Sequence, residues 1–144
     1  MTDPAFEAAY QAAQKSLREG GIPIGAALAR GGEIIATGHN ERVQHGDPIA
    51  HGEMSALRAA GRQRTYRDTV LYTTLAPCAM CTGTIIQFKI PKVVVGEAET
   101  YPGEFDLLRS RGVEVVVLED RRCVDMMETF QRNHAELWAE DIAE

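Results

Sequence analysis

The sequence predicts an α/β sandwich built around a mixed five-stranded sheet, and two observations support this fold class. The first is a hairpin signal, in which the apolar runs Ile24–Ala29 and Ile34–Thr37 are separated by Gly31-Gly32. The second is that later β-branched runs alternate with stretches of helical periodicity, which is the order of β-α units. Because a hairpin pairs its strands antiparallel and β-α units add parallel strands, the sheet is predicted to be mixed.

The other elements are predicted in chain order from helical periodicity and from residues that cap or break helices. Asp3 or Thr2 can cap a first helix that carries Pro4 in its first turn and ends at Gly20-Gly21. Further helices are predicted at 51–60, 78–88 and 105–109, a last long helix is predicted after Asp120, and strands are predicted at 70–73, 93–95 and 113–118. The apolar, β-branched run at 113–118 suits a buried strand.

The composition indicates one compact domain over residues 1–144. Of the 144 residues, 44% are hydrophobic and 25% are charged, which is ordinary for a globular domain. No apolar run approaches the ~20 residues needed to span a bilayer, and no signal-peptide pattern is present. The chain has three cysteines, two of which fall in a metal motif, so a reducing cytoplasm is the expected location.

The charge balance weighs against nucleic acid as a partner. The formal net charge is -6, and the longest basic run is Arg121-Arg122. Proteins that grip a phosphate backbone ordinarily present a basic face. A local basic patch remains the alternative.

A split motif carries the chemistry of the chain: H-x-E at residues 51–53 and P-C-x-x-C at residues 77–81. His51, Cys78 and Cys81 supply three zinc ligands, and a catalytic zinc site keeps its fourth position for water or hydroxide. Both ligand-bearing segments are predicted to begin helices, whose positive ends favour thiolates. The competing interpretation is a structural zinc site, which needs a fourth protein ligand from Cys123, His39, His45 or His134.

Glu53 is the predicted catalytic residue. It lies two positions from His51, within reach of a zinc-bound water. A carboxylate in this position can take a proton from the water and pass protons on to a substrate, which is general acid–base catalysis.

The H-x-E and P-C-x-x-C motifs are those of zinc nucleobase deaminases, and the chain resembles the cytidine/deoxycytidylate deaminase superfamily. Within it, the chain is similar to the yeast-type cytosine deaminases from about Tyr10 to Glu144. The segments that carry this closer resemblance are Gly21-Ile22-Pro23-Ile24-Gly25, Gly38-His39-Asn40, Leu71-Tyr72-Thr73-Thr74-Leu75, Cys81-Thr82-Gly83, Val94-Val95-Gly96-Glu97 and the tail Trp138–Glu144. The resemblance implies a three-layer α/β/α sandwich, one Zn²⁺ per chain, a homodimer with the helices near the zinc in its interface, and a C-terminal segment, about 134–144, that closes over the active site.

The same resemblance implies a set of substrate-binding residues. Asn40 and Asp141 match residues that hydrogen-bond the base, and Gly52 matches a glycine whose backbone N–H faces the base carbonyl. Tyr101 and Trp138 match aromatic positions of the pocket wall. From the residues alone, Asn40 is a turn residue, Asp141 a solvated acid and Trp138 an anchor of the last helix.

The predicted function is therefore hydrolytic deamination of a free nucleobase, cytosine to uracil and ammonia, in pyrimidine salvage. Two departures from the family pattern concern the pocket: Tyr101 stands where the family has Phe, and Ala139 replaces a second aromatic residue. They keep open another amino-substituted ring, such as isocytosine, creatinine, guanine or a triazine. A tRNA adenosine deaminase and a non-enzymatic zinc module are the further alternatives.

Overall fold

The computed structural model describes residues 3–144. Its helices are α1 (Pro4–Arg18), α2 (Arg42–His45), α3 (Gly52–Ala60), α4 (Ala79–Gln87), α5 (Phe105–Ser110), α6 (Arg121–Asn133) and α7 (Ala135–Asp141). Its strands are β1 (Gly25–Arg30), β2 (Glu33–His39), β3 (Thr69–Leu75), β4 (Lys92–Glu97) and β5 (Glu114–Val117). Asp3 caps α1 by accepting a hydrogen bond from the backbone N–H of Ala5, as predicted, while Thr2 lies outside the described residues.

The strands form one mixed sheet in the order β2-β1-β3-β4-β5. The hairpin strand β1 pairs antiparallel with both β2 and β3, whereas β3, β4 and β5 are parallel. The predicted five-stranded mixed sheet is therefore confirmed. Parallel strands end at one edge of a sheet, and in this chain the ends of β3 and β4 lie beside the site described below.

Helices cover both faces of the sheet, so the three-layer α/β/α sandwich is also confirmed. On one face α1 and the start of α6 pack against the sheet through a cluster that includes Phe6, Ala9 and Cys123. On the other face the apolar side chains of α3, α4 and α5 pack on alternate strand residues such as Leu28 and Leu71.

Close approach of α3 to the edge strand β2 depends on a glycine. A Cβ atom on Gly38 would lie 2.3 Å from the backbone nitrogen of Ala56 in α3. With no side chain at Gly38, the first turns of α3 are held directly against the sheet. This contact fixes the height of His51 and Glu53 above the strand ends.

Three features differ from the predictions. The strand at 113–118 is wrong as a buried strand, because β5 is an edge strand with β4 as its one neighbour and its residues are half-buried or exposed. The region after Asp120 is two helices, α6 and α7, which meet at His134. The short helix α2 was not predicted. Among residues 3–144, no helix is long and apolar enough to cross a membrane.

Candidate active site

The starts of two helices bring the H-x-E and C-x-x-C motifs together. His51 is the N-cap residue of α3, and Cys78 is the N-cap residue of α4, where the chain turns out of β3 through Ala76 and Pro77. Cys81, three residues into the same turn, is fully buried. Because residues at i and i+3 share a helix face, both sulfurs point toward the imidazole.

The geometry of these three residues fits a tetrahedral zinc ion. The Nδ1 atom of His51 lies 3.4 Å from Sγ of Cys78 and 3.9 Å from Sγ of Cys81, and the three ligand atoms lie within 4.8 Å of one another. Zinc bonds of about 2.05 Å to nitrogen and about 2.3 Å to sulfur at tetrahedral angles place N and S roughly 3.6 Å apart. The donor set and its spacing are therefore those of a zinc site.

The electrostatics of the triad favour a cation at its centre. The hydrogen bond from Cys81, followed by the contact with His51, lowers the pKa of Cys78 to about 4 although burial opposes this shift. The same hydrogen bond and burial raise the pKa of Cys81. Burial lowers the pKa of His51, but Cys78, Asp141 and Glu53 outweigh it and raise that pKa to about 9. The negative groups around His51 produce its upward pKa shift, and Zn²⁺ is the charge that such surroundings accommodate.

Glu53 lies in the first turn of α3, one residue beyond Gly52, with only 4% of its surface exposed. Burial, followed by the negative charge of Cys78, raises the pKa of its carboxyl to about 7, while the charge of His51 opposes the shift. A carboxyl with such a pKa can both accept and donate a proton near neutral pH.

Two hydrogen bonds of Asn40 and an ion-pair contact of Asp141 connect the C-terminal tail to the zinc triad. Oδ1 of Asp141 accepts a hydrogen bond from Nδ2 of Asn40 at 2.9 Å and lies 3.4 Å from Nε2 of His51, the ring nitrogen that faces away from the sulfurs. Oδ1 of Asn40 accepts from the backbone N–H of Arg42 at 3.0 Å. Asp141 is thereby the partner that orients the imidazole of the metal ligand.

The site opens into a small cavity of about 20 Å³. His51, Glu53 and Cys78 form its floor, and its wall comes from the remaining lining residues: Ile24, Leu75, Ala76, Tyr101, Trp138, Asp141 and Ile142. The rings of Tyr101 and Trp138 meet edge to face, with centroids 6.4 Å apart.

Two of the predicted substrate-binding residues lie behind this wall. Asn40 is fully buried and touches the cavity-lining Asp141. Gly52 is buried as well, and a Cβ atom there would lie 3.1 Å from the carbonyl oxygen of Ile24. The structure thus gives a second reason for glycine at this position, the close packing of α3 on the start of β1. Ala139 is not among the residues that line the cavity.

The sequence reasoning missed the residues that hold the pocket wall in place. Glu97, at the end of β4, is buried, and its carboxylate accepts hydrogen bonds from the backbone N–H and the hydroxyl of Thr100, at 2.9 and 2.6 Å. Those bonds order the loop that carries Tyr101. An acidic residue at the end of an apolar strand was the available signal, because a buried carboxylate requires partners. Ile24 and Leu75 also line the cavity, and nothing in their local sequence marks them as pocket residues.

The structural-zinc alternative is not supported, because none of its four candidate ligands joins the triad. Cys123 packs against the opposite face of the sheet. His39 faces Glu19, His45 pairs with Glu41, and the ring of His134 stacks near Phe130. Among residues 3–144, the group of side chains placed to hold a metal is His51, Cys78 and Cys81 alone.

Comparison with known proteins agrees with this geometry. A family model for the cytidine and deoxycytidylate deaminase zinc-binding region matches residues 2–97. The cytosine deaminase of Candida albicans is 46% identical over 142 residues, which cover 96% of this chain and 95% of that protein. A tRNA-specific adenosine deaminase of Streptococcus pyogenes is 34% identical, with 91% and 84% of the two chains covered. The guanine deaminase of Nitrosomonas europaea shares the fold, with a TM-score of 0.80 at 19% identity over 92% of this chain and 85% of that one.

Fold, metal site and relatives together define a zinc-dependent deaminase, a hydrolase of C–N bonds. The chain belongs to the cytidine and deoxycytidylate deaminase family, which confirms the resemblance read from its motifs.

Proposed function

We propose that this protein hydrolyses free cytosine to uracil and ammonia. The observation that carries the proposal is the small cavity whose wall includes Trp138, Asp141 and Ile142 of the C-terminal tail. A pocket closed by its own chain suits a small free base, whereas a base within a polymer requires an open path for the flanking nucleotides. A relative that is 46% identical over 96% of this chain is itself a cytosine deaminase.

His51, Cys78 and Cys81 would hold the zinc, which supplies Lewis-acid activation of water. Glu53 takes a proton from the attacking water and gives it to the ring nitrogen next to the reacting carbon. It then moves a second proton to the amine, which leaves as ammonia, and the water oxygen becomes the new carbonyl. Its burial keeps these transfers out of exchange with solvent.

The polar edge of the base is the proposed ligand of Asn40, Asp141 and the backbone N–H of Gly52. Asn40 already uses one amide hydrogen on Asp141 and its carbonyl oxygen on Arg42. The second amide hydrogen of Asn40 remains available to donate, so its partner on the base is an acceptor such as the cytosine carbonyl. Asp141, an acceptor when ionised, suits the amino group and ring N–H donors.

The tail, about 134–144, is proposed to open for the base and to close over it. A cavity of about 20 Å³ has room for roughly one water molecule, so a pyrimidine ring requires the wall to move. Helix α7 is the part of the wall best suited to moving, because it follows a break at His134. Tyr101 and Trp138 then cover the ring and exclude water.

We further propose a homodimer through a groove between α3 and α4, called here the α3–α4 groove. Its lining is mainly apolar and includes Met54, Leu57, Tyr66, Met80 and Phe88. Phe88 is 39% exposed and stacks on Tyr66 at 5.0 Å. A second copy of this chain is the proposed occupant, in keeping with the family resemblance.

We also place the protein in the cytoplasm, in pyrimidine salvage, because three free thiols, two of them zinc ligands, call for a reducing compartment.

The experiment is a substrate panel on the zinc-loaded protein, followed by ultraviolet absorbance: cytosine, isocytosine, creatinine, guanine and a tRNA. Turnover of cytosine with the tRNA untouched is the expected result. Turnover of another ring in its place would retain the zinc chemistry and overturn the substrate, with Tyr101 as the position to exchange for Phe. Inosine formation in the tRNA would overturn the free-base proposal altogether.

A further inference from the structure

Arg42 joins the two separate chain segments that flank the zinc triad. It is the first residue of α2, two positions after Asn40, and its backbone N–H donates to the Asn40 side chain at 3.0 Å. Its guanidinium reaches the C-terminal tail, where Nη2 lies 3.4 Å from Oε1 of Glu140. Glu140 directly precedes Asp141 in the last turn of α7. Arg42 therefore contacts Asn40 on one side of the Asn40–Asp141 hydrogen bond and the neighbour of Asp141 on the other.

The surroundings of Arg42 show that this contact is not an ordinary surface ion pair. The Arg42 side chain is only 19% exposed, against 59% for Glu140. Its Nη1 atom lies 3.5 Å from the carbonyl oxygen of Pro48, the limit of a hydrogen bond. Among the described residues, the Nε–H group of Arg42 is buried without any hydrogen-bond partner. Burying a charged donor without a partner costs free energy. The long contacts of the Arg42 guanidinium with Glu140 and Pro48 offset only part of that cost.

We propose that Arg42 is a positioning residue that clasps the closed tail through Glu140 and thereby sets the affinity for the base. The inference rests on the proposed function in one respect, that Asp141 of the tail reads the base. When the tail closes over a bound base, the 3.4 Å contact between Arg42 and Glu140 shortens and the Nε–H group of Arg42 gains an acceptor. The carboxylate of Asp141 is then held in line with the Asn40 amide.

The clasp predicts a change in KM rather than in kcat. The zinc ligands and Glu53 lie at the starts of α3 and α4, and the hydrogen bonds and ion pairs of Arg42 go to Asn40, Pro48 and Glu140 instead. Arg42→Gln leaves the backbone N–H on Asn40 in place and removes the charge. We expect KM for the base to rise about three- to tenfold, the range for losing a partly exposed charged hydrogen bond, with kcat and zinc content nearly unchanged. Arg42→Lys, which keeps the charge, restores part of the affinity.

The experiment compares Arg42→Gln, Glu140→Gln and the double variant, with Arg62→Gln and Glu136→Gln as controls at exposed positions. A second readout is independent of turnover. Trp138 is the one tryptophan of the chain and is 7% exposed, so acrylamide quenching of its fluorescence reports how tightly the tail is closed. Greater quenching is expected in both single variants. The double variant should match either single one in KM and quenching, because one contact is lost in all three.

The proposal would be overturned if the two substitutions raised KM independently, so that their effects multiplied in the double variant. It would also be overturned if acrylamide quenching of Trp138 were the same in the variants as in the wild type and the controls. Glu140→Gln keeps the test informative if Arg42→Gln does not fold, since Glu140 is mostly exposed. If the wild-type protein does not act on cytosine but the two substitutions are still coupled in the quenching, the proposed substrate fails and the clasp stands. The two proposals are therefore separable.

Discussion

At the scale of single residues, Glu53 is the group on which the proposed chemistry depends most. We predict that Glu53→Gln retains zinc and the fold but lowers kcat by at least about 100-fold, because proton transfer by a positioned side chain contributes ~10²–10⁴. The amide keeps the size of the carboxyl and cannot shuttle a proton. The measurement is steady-state turnover of the active substrate together with metal analysis of the same sample.

The matched control is Glu128→Gln, at an exposed position of α6, which should leave turnover unchanged. More than about a hundredth of the wild-type rate remaining in Glu53→Gln would assign the proton transfers to another group. Loss of zinc in that variant would mean that Glu53 supports the metal site itself, and the rate would then say nothing about catalysis.

The metal and acid residues could be predicted from sequence because their chemistry is local. The ligands Cys78 and Cys81 are three residues apart, and Glu53 is two residues from His51, so one helical turn each sets their relation. Asn40 and Asp141 are 101 residues apart, and their hydrogen bond exists only after the tail folds back. Only the resemblance to a family could pair them in advance. The contact of Arg42 with the tail could not be predicted, since a single arginine in a polar segment has no local pattern that indicates its partner.

At the scale of elements, Arg122 fastens the start of α6 to α1. Its Nη1 and Nη2 atoms lie 2.6 and 2.9 Å from the two carboxylate oxygens of Glu7, and Nη2 lies 2.9 Å from Asp120, the N-cap residue of α6. The guanidinium also lies 4.2 Å above the ring of Tyr10. With Arg121 paired to Glu99, the longest basic run of the sequence is engaged in ion pairs within the chain.

This network predicts a pH-dependent loss of stability in Arg122→Gln. The hydrogen bond from Arg122 lowers the pKa of Glu7 below its ordinary 4.5 and that of Asp120 below its ordinary 3.8. A carboxylate with a lowered pKa in the folded state stabilises the protein above its ordinary pKa, and this contribution disappears as the pH falls through the lowered value. We expect the variant to be about 1 kcal/mol less stable at pH 7, a modest figure because the side chains of Arg122 and Glu7 are 42% and 33% exposed.

Thermal unfolding from pH 7 to pH 3 measures this effect, with Arg132→Gln in the same helix as the control. The difference in Tm between wild type and Arg122→Gln should be about 3 °C at pH 7 and should narrow as the pH falls below the ordinary pKa values of 4.5 and 3.8. Both proteins lose zinc in acid alike, so only their difference is informative. A difference that does not narrow at all below those ordinary pKa values would assign the effect to packing over Tyr10 rather than to the ion pairs.

Elements were predictable where periodicity and breakers agreed, as in α1, which runs from its Asp3 cap to Arg18. The strand β5 shows the limit of that approach, because three valines in a row look the same in a buried strand and at a sheet edge. Its position follows from strand order, which depends on crossover connections. Likewise, the break at His134 between α6 and α7 has neither Gly nor Pro to mark it.

At the scale of the whole molecule, the α3–α4 groove is the surface that bears on assembly. It joins the two helices that carry the zinc ligands, so a partner seated there would buttress the metal site of each subunit. Among the residues that line the groove, Phe88 is the large hydrophobic side chain that is exposed to solvent, at 39%. Monomeric proteins rarely leave a contiguous apolar surface of this kind exposed. Isologous pairing of the same groove on two copies would cover both strips at once.

Gly83 offers a sharp test, because it lines this groove and a Cβ atom there would have no neighbour within 4 Å. Gly83→Glu therefore fits the single chain without strain and improves the helix, but it places a charge where the second copy would sit. We expect sedimentation velocity at micromolar concentration to give a dimer for the wild type and a monomer for Gly83→Glu. Leu107→Glu, an equally exposed apolar position on α5 outside the groove, should stay dimeric. A monomeric wild type, or a dimer that tolerates Gly83→Glu, would contradict assembly through this groove.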